Sequence, residues 1–198
     1  MTVIGLTGPT GAGKGEVGRL LAQKGALIVD TDRIAREVVE PGQPCLKELV
    51  TAFGNDILHQ NGTLDRAALA KKAFATPETG ALLNRITHPH IIARSLDILK
   101  NSTAAIGVID APLLFESGMD TLCDTTVAVL APSSVRLARI TARDGIDEAR
   151  ARERMNAQPD ETFYRERAAH ILENDGDLAA LTSAVDTWFA AVVRKEEP

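Results

Sequence analysis

The sequence predicts an α/β fold with three layers, α/β/α, built around a central parallel sheet. Three observations carry that expectation. Apolar runs at Thr2–Thr7, Ala104–Asp110 and Thr125–Leu130 are continuous rather than alternating, as strands covered on both faces are. Helical stretches such as Glu16–Lys24 and Ser133–Arg143 lie between such runs. A glycine-rich turn, Gly8 to Gly15, joins the first run to the first helix.

Taken in order, Thr2–Thr7 is the first strand, Glu16–Lys24 the first helix, and Leu27-Ile28-Val29 a short second strand. Alternation then stops. Residues 33–102 offer no convincing strand and read as mostly helical, with turn signals at Glu40-Pro41-Gly42, Asn61-Gly62 and Thr76-Pro77-Glu78. That is too long for an ordinary crossover, so it reads as an inserted helical subdomain. The strands at Ala104–Asp110 and Thr125–Leu130 resume the core, and Ser133–Arg143 is the next helix. Between Arg136 and Arg167 lie eight of the chain's fifteen arginines and no lysine. Acidic neighbours nearly balance them, which suits a solvated helical surface, but Arg136, Arg139 and Arg143 share one helical face directly after a strand. The expected division is therefore a core of 1–32, 103–135 and 168–198, an insertion at 33–102 and a second inserted segment at 136–167. The last four residues, Lys195-Glu196-Glu197-Pro198, read as a frayed tail.

Composition narrows the function. With 198 residues, 44% of them apolar and 25% charged, the chain can bury a substantial core. Twenty-two basic against 27 acidic residues leave a net charge of −5, and aromatics make up only 4%. Neither a charge-driven nucleic-acid or membrane binder nor a base-stacking surface is expected. Cys45 and Cys123 are far apart, which argues against a disulfide framework or a zinc site. The opening residues lack the basic and long apolar regions of a signal peptide, and no run approaches the roughly 20 apolar residues of a membrane span, so a cytoplasmic protein is expected.

The strongest chemical signal is Gly8-Pro9-Thr10-Gly11-Ala12-Gly13-Lys14-Gly15, set between a strand and a helix. Its spacing fits a phosphate-binding P-loop, in which backbone N–H groups converge on phosphate oxygens and Lys14 reaches the β- and γ-phosphates. The usual hydroxyl after the lysine is missing, because position 15 is Gly. A Mg²⁺ there must rely mainly on nucleotide oxygens, water and a carboxylate. Two further groups sit at strand ends, where ligands bind in open α/β sheets. Of Asp30 and Asp32, one is expected to cap the following helix and the other, Asp32, to accept a proton from an attacking hydroxyl. Asp110 reads either as a carboxylate facing the metal through water or as a solvated turn residue. His88-Pro89-His90 lacks the spacing of a metal pair and suits a hydrogen-bonding role at a helix break or substrate pocket.

These residues together resemble the dephospho-CoA kinase family along nearly the whole chain. The resemblance rests on Gly5-Leu6-Thr7-Gly8 with Gly11-Ala12-Gly13-Lys14, Asp30-Thr31-Asp32 with Ile34-Ala35-Arg36, Val38-Val39-Glu40-Pro41-Gly42, and Gly62-Thr63-Leu64-Asp65-Arg66. It continues through His88-Pro89, Pro112-Leu113-Leu114-Phe115-Glu116, the arginine segment with Gln158, and Asn174-Asp175-Gly176. The resemblance implies a P-loop NTPase of the nucleotide-kinase-like type, with a helical substrate-binding insertion at 33–102 and an arginine-rich lid at 136–167. It implies transfer of the γ-phosphoryl of ATP, with Mg²⁺, to the ribose 3′-hydroxyl of dephospho-CoA, the last step of coenzyme A synthesis, in a monomer or weak homo-oligomer. Lys14, Asp32 and Arg139 become the expected catalytic residues, with Arg143 as an alternative to Arg139. Gly8, Gly11, Ala12, Gly13, Lys14, Gly15 and Glu16 are expected on the nucleotide, with Arg143, and Asn174 near adenine. Asp32, Asp65, Arg66, His88, Pro112 and Leu113 are expected on the acceptor, though Asp65, Arg66 and His88 are equally compatible with structural roles. The chain departs from the family's usual pattern at Pro9-Thr10 and Gly15. Another small-molecule or nucleotide P-loop kinase, or a non-catalytic nucleotide-binding module, is the alternative reading.

Overall fold

A computed structural model describes residues 1–194; the tail expected at Lys195–Pro198 lies outside the described residues. The chain divides into two units, one of Met1–Ile28 with Thr103–Pro198 and one of Val29–Ser102.

A five-stranded sheet runs in the order β2-β3-β1-β4-β5, from β1 (Thr2–Thr7), β2 (Leu27–Asp30, where the division between the units falls), β3 (Ile106–Asp110), β4 (Thr125–Leu130) and β5 (His170–Glu173). β1 is central, parallel to β3 with Leu6 opposite Asp110, and parallel to β4 with Leu6 opposite Val127. The register puts the C-terminal ends of β1 and β3 at the same edge, so the turn after Thr7 and the Asp110 side chain share it. Ile4, Leu6, Val108, Val127 and Val129 are wholly buried, which explains the unbroken apolar runs. One face is covered by α1 (Lys14–Gln23) and α9 (Leu178–Arg194), through Val17, Leu20 and Leu21 against Leu181, Val185 and Val192. Each such side chain contributes about 2 kcal/mol by leaving water. Ala128 and Leu130 pack with Tyr164 of α8 (Glu161–Arg167) and with Phe115 and Phe163. Leu137 and Ile140 of α6 (Ser133–Asp144) meet Ala151 of α7 (Glu148–Asn156). β5 was not anticipated: four residues give too short an apolar run to stand out, and its place at the sheet edge leaves only Leu172 fully buried.

The second unit is helical, with α2 (Thr31–Glu37), α3 (Pro44–Phe53), α4 (Arg66–Ala73) and α5 (Pro77–Lys100). Leu46, Leu49, Phe53, Ile57, Leu69 and Leu99 form its buried interior. Lys72 ties α4 to the end of α3, donating to the Phe53 carbonyl and to Asp56, both at 2.6 Å. The turn signals act as helix starts and hairpin turns: Thr76 and Thr79 form a reciprocal cap on α5, and Asn61-Gly62 closes a short antiparallel bridge between Leu58 and Leu64. Of the two settings expected for His88-Pro89-His90, a helix break or a substrate pocket, the break does not occur: α5 runs through Pro89 for 24 residues.

Candidate phosphate-binding site

The glycine-rich turn is shaped by its neighbours. Gly8 has φ 145°, and a side-chain carbon there would fall onto the backbone carbonyl of Val129 on β4. β1 and the adjacent strand therefore leave room for hydrogen only. Gly13, the residue before α1, has φ 101°, and a side-chain carbon there would strike the Asn174 carboxamide. Below the turn, the buried Thr7 hydroxyl donates to the Pro112 carbonyl at 3.4 Å.

The turn's backbone groups sort into spent and unspent. The Thr10 N–H donates to Gln158 Oε1 at 2.7 Å, and the Ala12 N–H to the Pro9 carbonyl at 3.1 Å. Arg136 Nε donates to the Thr10 carbonyl at 2.9 Å, and Asn174 Nδ2 to the Ala12 carbonyl at 2.7 Å. The N–H groups of Gly11, Gly13, Lys14 and Gly15 meet no acceptor among the described residues. Four such donors on one turn, the last two opening a ten-residue helix, form a cradle for an anion.

Cations surround the cradle. Lys14 Nζ pairs with Asp110, both largely shielded from solvent. Arg139 donates to the Asn174 carbonyl at 3.2 Å and its side-chain oxygen at 3.3 Å, so Arg139, Asn174 and Ala12 form one cluster. Arg143 is not part of it: its guanidinium lies on Asp144 at 2.7 and 3.0 Å, and Asp144 also takes Arg154. Glu16 turns to Arg19, whose hydrogen bond holds its carboxyl below the ordinary range. Pro112 is half-buried and Leu113 is exposed beyond β3. Arg136 and Gln158 gained no role of their own from the sequence. Arg136 did share a face with Arg139 at i,i+3, a signal that also fits a solvated surface.

The remaining predicted residues belong to the helical unit. Asp30 caps α2, accepting from the Arg33 N–H at 3.0 Å, while Asp32 is exposed in the first turn with its side chain outside the cap. Asp65 caps α4 through the N–H groups of Ala67 and Ala68, both at 3.0 Å, and Arg66 is exposed beside it. His88 is half-buried on α5, and burial pulls its pKa below the ordinary 6.5. The unfolded chain therefore binds more protons at this position than the folded one just below pH 6.5, and stability falls as pH drops through that range. His88→Gln is expected to flatten the dependence of Tm on pH between about 7 and 5; an unchanged slope would refute the assignment.

A model of the family described as dephospho-CoA kinase matches residues 2–180. A dephospho-CoA kinase of Moorella thermoacetica is 46% identical over 189 residues, covering 93% of this chain and 89% of its own. A solved structure of a Thermus thermophilus protein is 33% identical, with a TM-score of 0.82 and coverage of 96% and 97%. A dephospho-CoA kinase structure from Campylobacter jejuni, 23% identical with a TM-score of 0.71 and 98% coverage of both chains, has the same fold.

Proposed function

The chain belongs to the dephospho-CoA kinase family, and from that premise we propose how its own residues carry the reaction. It is a P-loop kinase that transfers the γ-phosphoryl group of ATP to the ribose 3′-hydroxyl of dephospho-CoA, giving coenzyme A and ADP, the last step of coenzyme A synthesis. The observation that carries the reading is the cradle: four N–H groups that meet no acceptor among the described residues, beside a lysine in P-loop register.

The N–H groups of Gly11, Gly13, Lys14 and Gly15 bind phosphate oxygens, and Lys14 exchanges part of its contact with Asp110 for the β- and γ-phosphates. Asp32 orients the 3′-hydroxyl and takes its proton as the phosphoryl group moves. Arg139 adds charge where the leaving and transferred groups separate, its planar fork suiting two oxygens at once. Gly8, Ala12 and Glu16 shape the nucleotide site, and Asn174 lies near the adenine. Asp65, Arg66, His88, Pro112 and Leu113 shape the acceptor site. Residues 33–102 receive the acceptor, and 136–167 act as a lid that excludes water from the transfer. Arg143 joins the nucleotide only on release from Asp144.

The donor set suits a Mg²⁺ held mostly by phosphate oxygens and water. Position 15 offers no hydroxyl, Asp110 would supply the nearby carboxylate, and no group of three metal-ligating side chains occurs among the described residues. When bound, the ion neutralises charge on the β- and γ-phosphate oxygens. A side-chain carbon at Gly15 would meet open space. Gly15→Ser is accordingly expected to lower the Mg²⁺ concentration for half-maximal turnover several-fold; an unchanged value would show that a hydroxyl at 15 adds no ligand.

No helix among the described residues is long and apolar enough to cross a membrane. The net charge of −5 supports a protein that works without nucleic acid, and the two widely separated cysteines suit a reducing cytoplasm; a monomer or weak homo-oligomer completes the proposal. A coupled ADP-release assay with dephospho-CoA, AMP and shikimate tests the reading. Turnover with dephospho-CoA alone is expected. Preference for AMP or shikimate would make it another kinase, and tight ATP binding without transfer a nucleotide-binding module.

A further inference from the structure

The Thr10 carbonyl is held by Arg136, a buried arginine of α6 near Tyr164 and Glu161. Arg136 is 7% exposed, and its Nε donates to that carbonyl at 2.9 Å. Its Nη2 is buried and has no partner, and none of the ion pairs among the described residues includes it. A buried cation without a contacting carboxylate is costly, and burial pulls the guanidinium below its usual pKa. The cost is offset where an anion arrives nearby. Thr10 C=O and Gly11 N–H belong to one trans peptide group, in which the two bonds point in opposite directions. Fixing the carbonyl on Arg136 therefore fixes the N–H toward the other side, and Gly11 N–H is one of the four donors that meet no acceptor among the described residues.

We propose that Arg136 is a positioning residue of the phosphate site. By holding the Thr10 carbonyl it aims the Gly11 N–H at the bound polyphosphate and, through polarisation of the shared peptide group, strengthens it as a donor. This rests on the reading of the turn as the ATP site. The next-but-one peptide provides an internal comparison that does not involve Arg136: Asn174 Nδ2 at 2.7 Å, with Arg139 Nη1 at 3.5 Å, holds the Ala12 carbonyl and so aims the Gly13 N–H.

The test is calorimetric titration of the full chain with ATP and with ADP, together with the amide NMR shifts of the ADP complex. Arg136→Met is expected to weaken both nucleotides about tenfold, the worth of one charge-assisted hydrogen bond, and to move the Gly11 amide proton upfield while that of Gly13 stays. Arg136→Gln, which restores a neutral donor, is expected to recover part of the affinity. The KM for dephospho-CoA should not change. Unchanged nucleotide affinity, an unmoved Gly11 resonance, or equal losses at Gly13 and in acceptor KM would each overturn the proposal. If Arg136→Met does not fold, Arg136→Gln carries the same test, with a smaller loss of affinity and a Gly11 shift expected. Absence of nucleotide binding in the wild-type chain would instead overturn the ATP reading, and the proposal with it.

Discussion

Lys14→Ala is expected to lower kcat roughly a thousandfold, about 4 kcal/mol in the transition state, in the ADP-release assay with dephospho-CoA. The loss has two parts that a double variant separates. Lys14 is paired with Asp110, and the two are among the less exposed charges of the first unit. Removing the cation alone leaves the carboxylate facing an incoming polyphosphate, so ATP affinity should fall as well as kcat. In Lys14→Ala/Asp110→Asn the repulsion is gone, and affinity should return toward wild type while kcat stays low, because the charge that develops on the moving phosphoryl is unmatched and the carboxylate proposed for Mg²⁺ is lost as well. Near-normal turnover of Lys14→Ala would sink the P-loop mechanism. Recovery of turnover in the double variant would reduce Lys14 to a counter-ion for Asp110.

Asp32→Asn should cost 10²–10⁴ in kcat, the usual worth of a positioned general base, with ATP affinity unchanged. The neighbouring carboxylate makes this a clean comparison. Asp30 accepts from the Arg33 N–H and caps α2, whereas Asp32 is exposed and takes no part in the cap. Asp30→Ala should accordingly lower Tm, at a cost of about 1 kcal/mol, and Asp32→Asn should leave Tm alone. A rise in the acceptor KM at constant kcat would make Asp32 a binding residue.

What could be read in advance follows from where each signal is stored. Val108 and Val127 lie on strands buried on both faces and sit in unbroken apolar runs, so β1, β3 and β4 were legible; His170–Glu173, at the sheet edge, has no such run. The phosphate turn was legible because glycine at 8 and 13 is demanded by backbone geometry that a short motif records. The acceptor-free N–H groups were not, because they depend on partners 126 to 162 residues away: Arg136, Gln158 and Asn174 act through contacts that no local spacing encodes. At Pro89 the local rule left a helix break or a pocket open, and α5 continues through it.

Positions 8 and 15 stand at the two ends of one motif, yet they answer to different masters. At Gly8 the obstacle is the Val129 carbonyl, part of a strand that cannot retreat without unzipping from β1, whereas at Gly15 nothing stands in the way. In a library randomised at both and sorted only for folded, soluble protein, position 8 should collapse to a single letter, because there the sheet does the selecting. Position 15 should drift freely until the activity is demanded, and the letters that survive then report on chemistry alone.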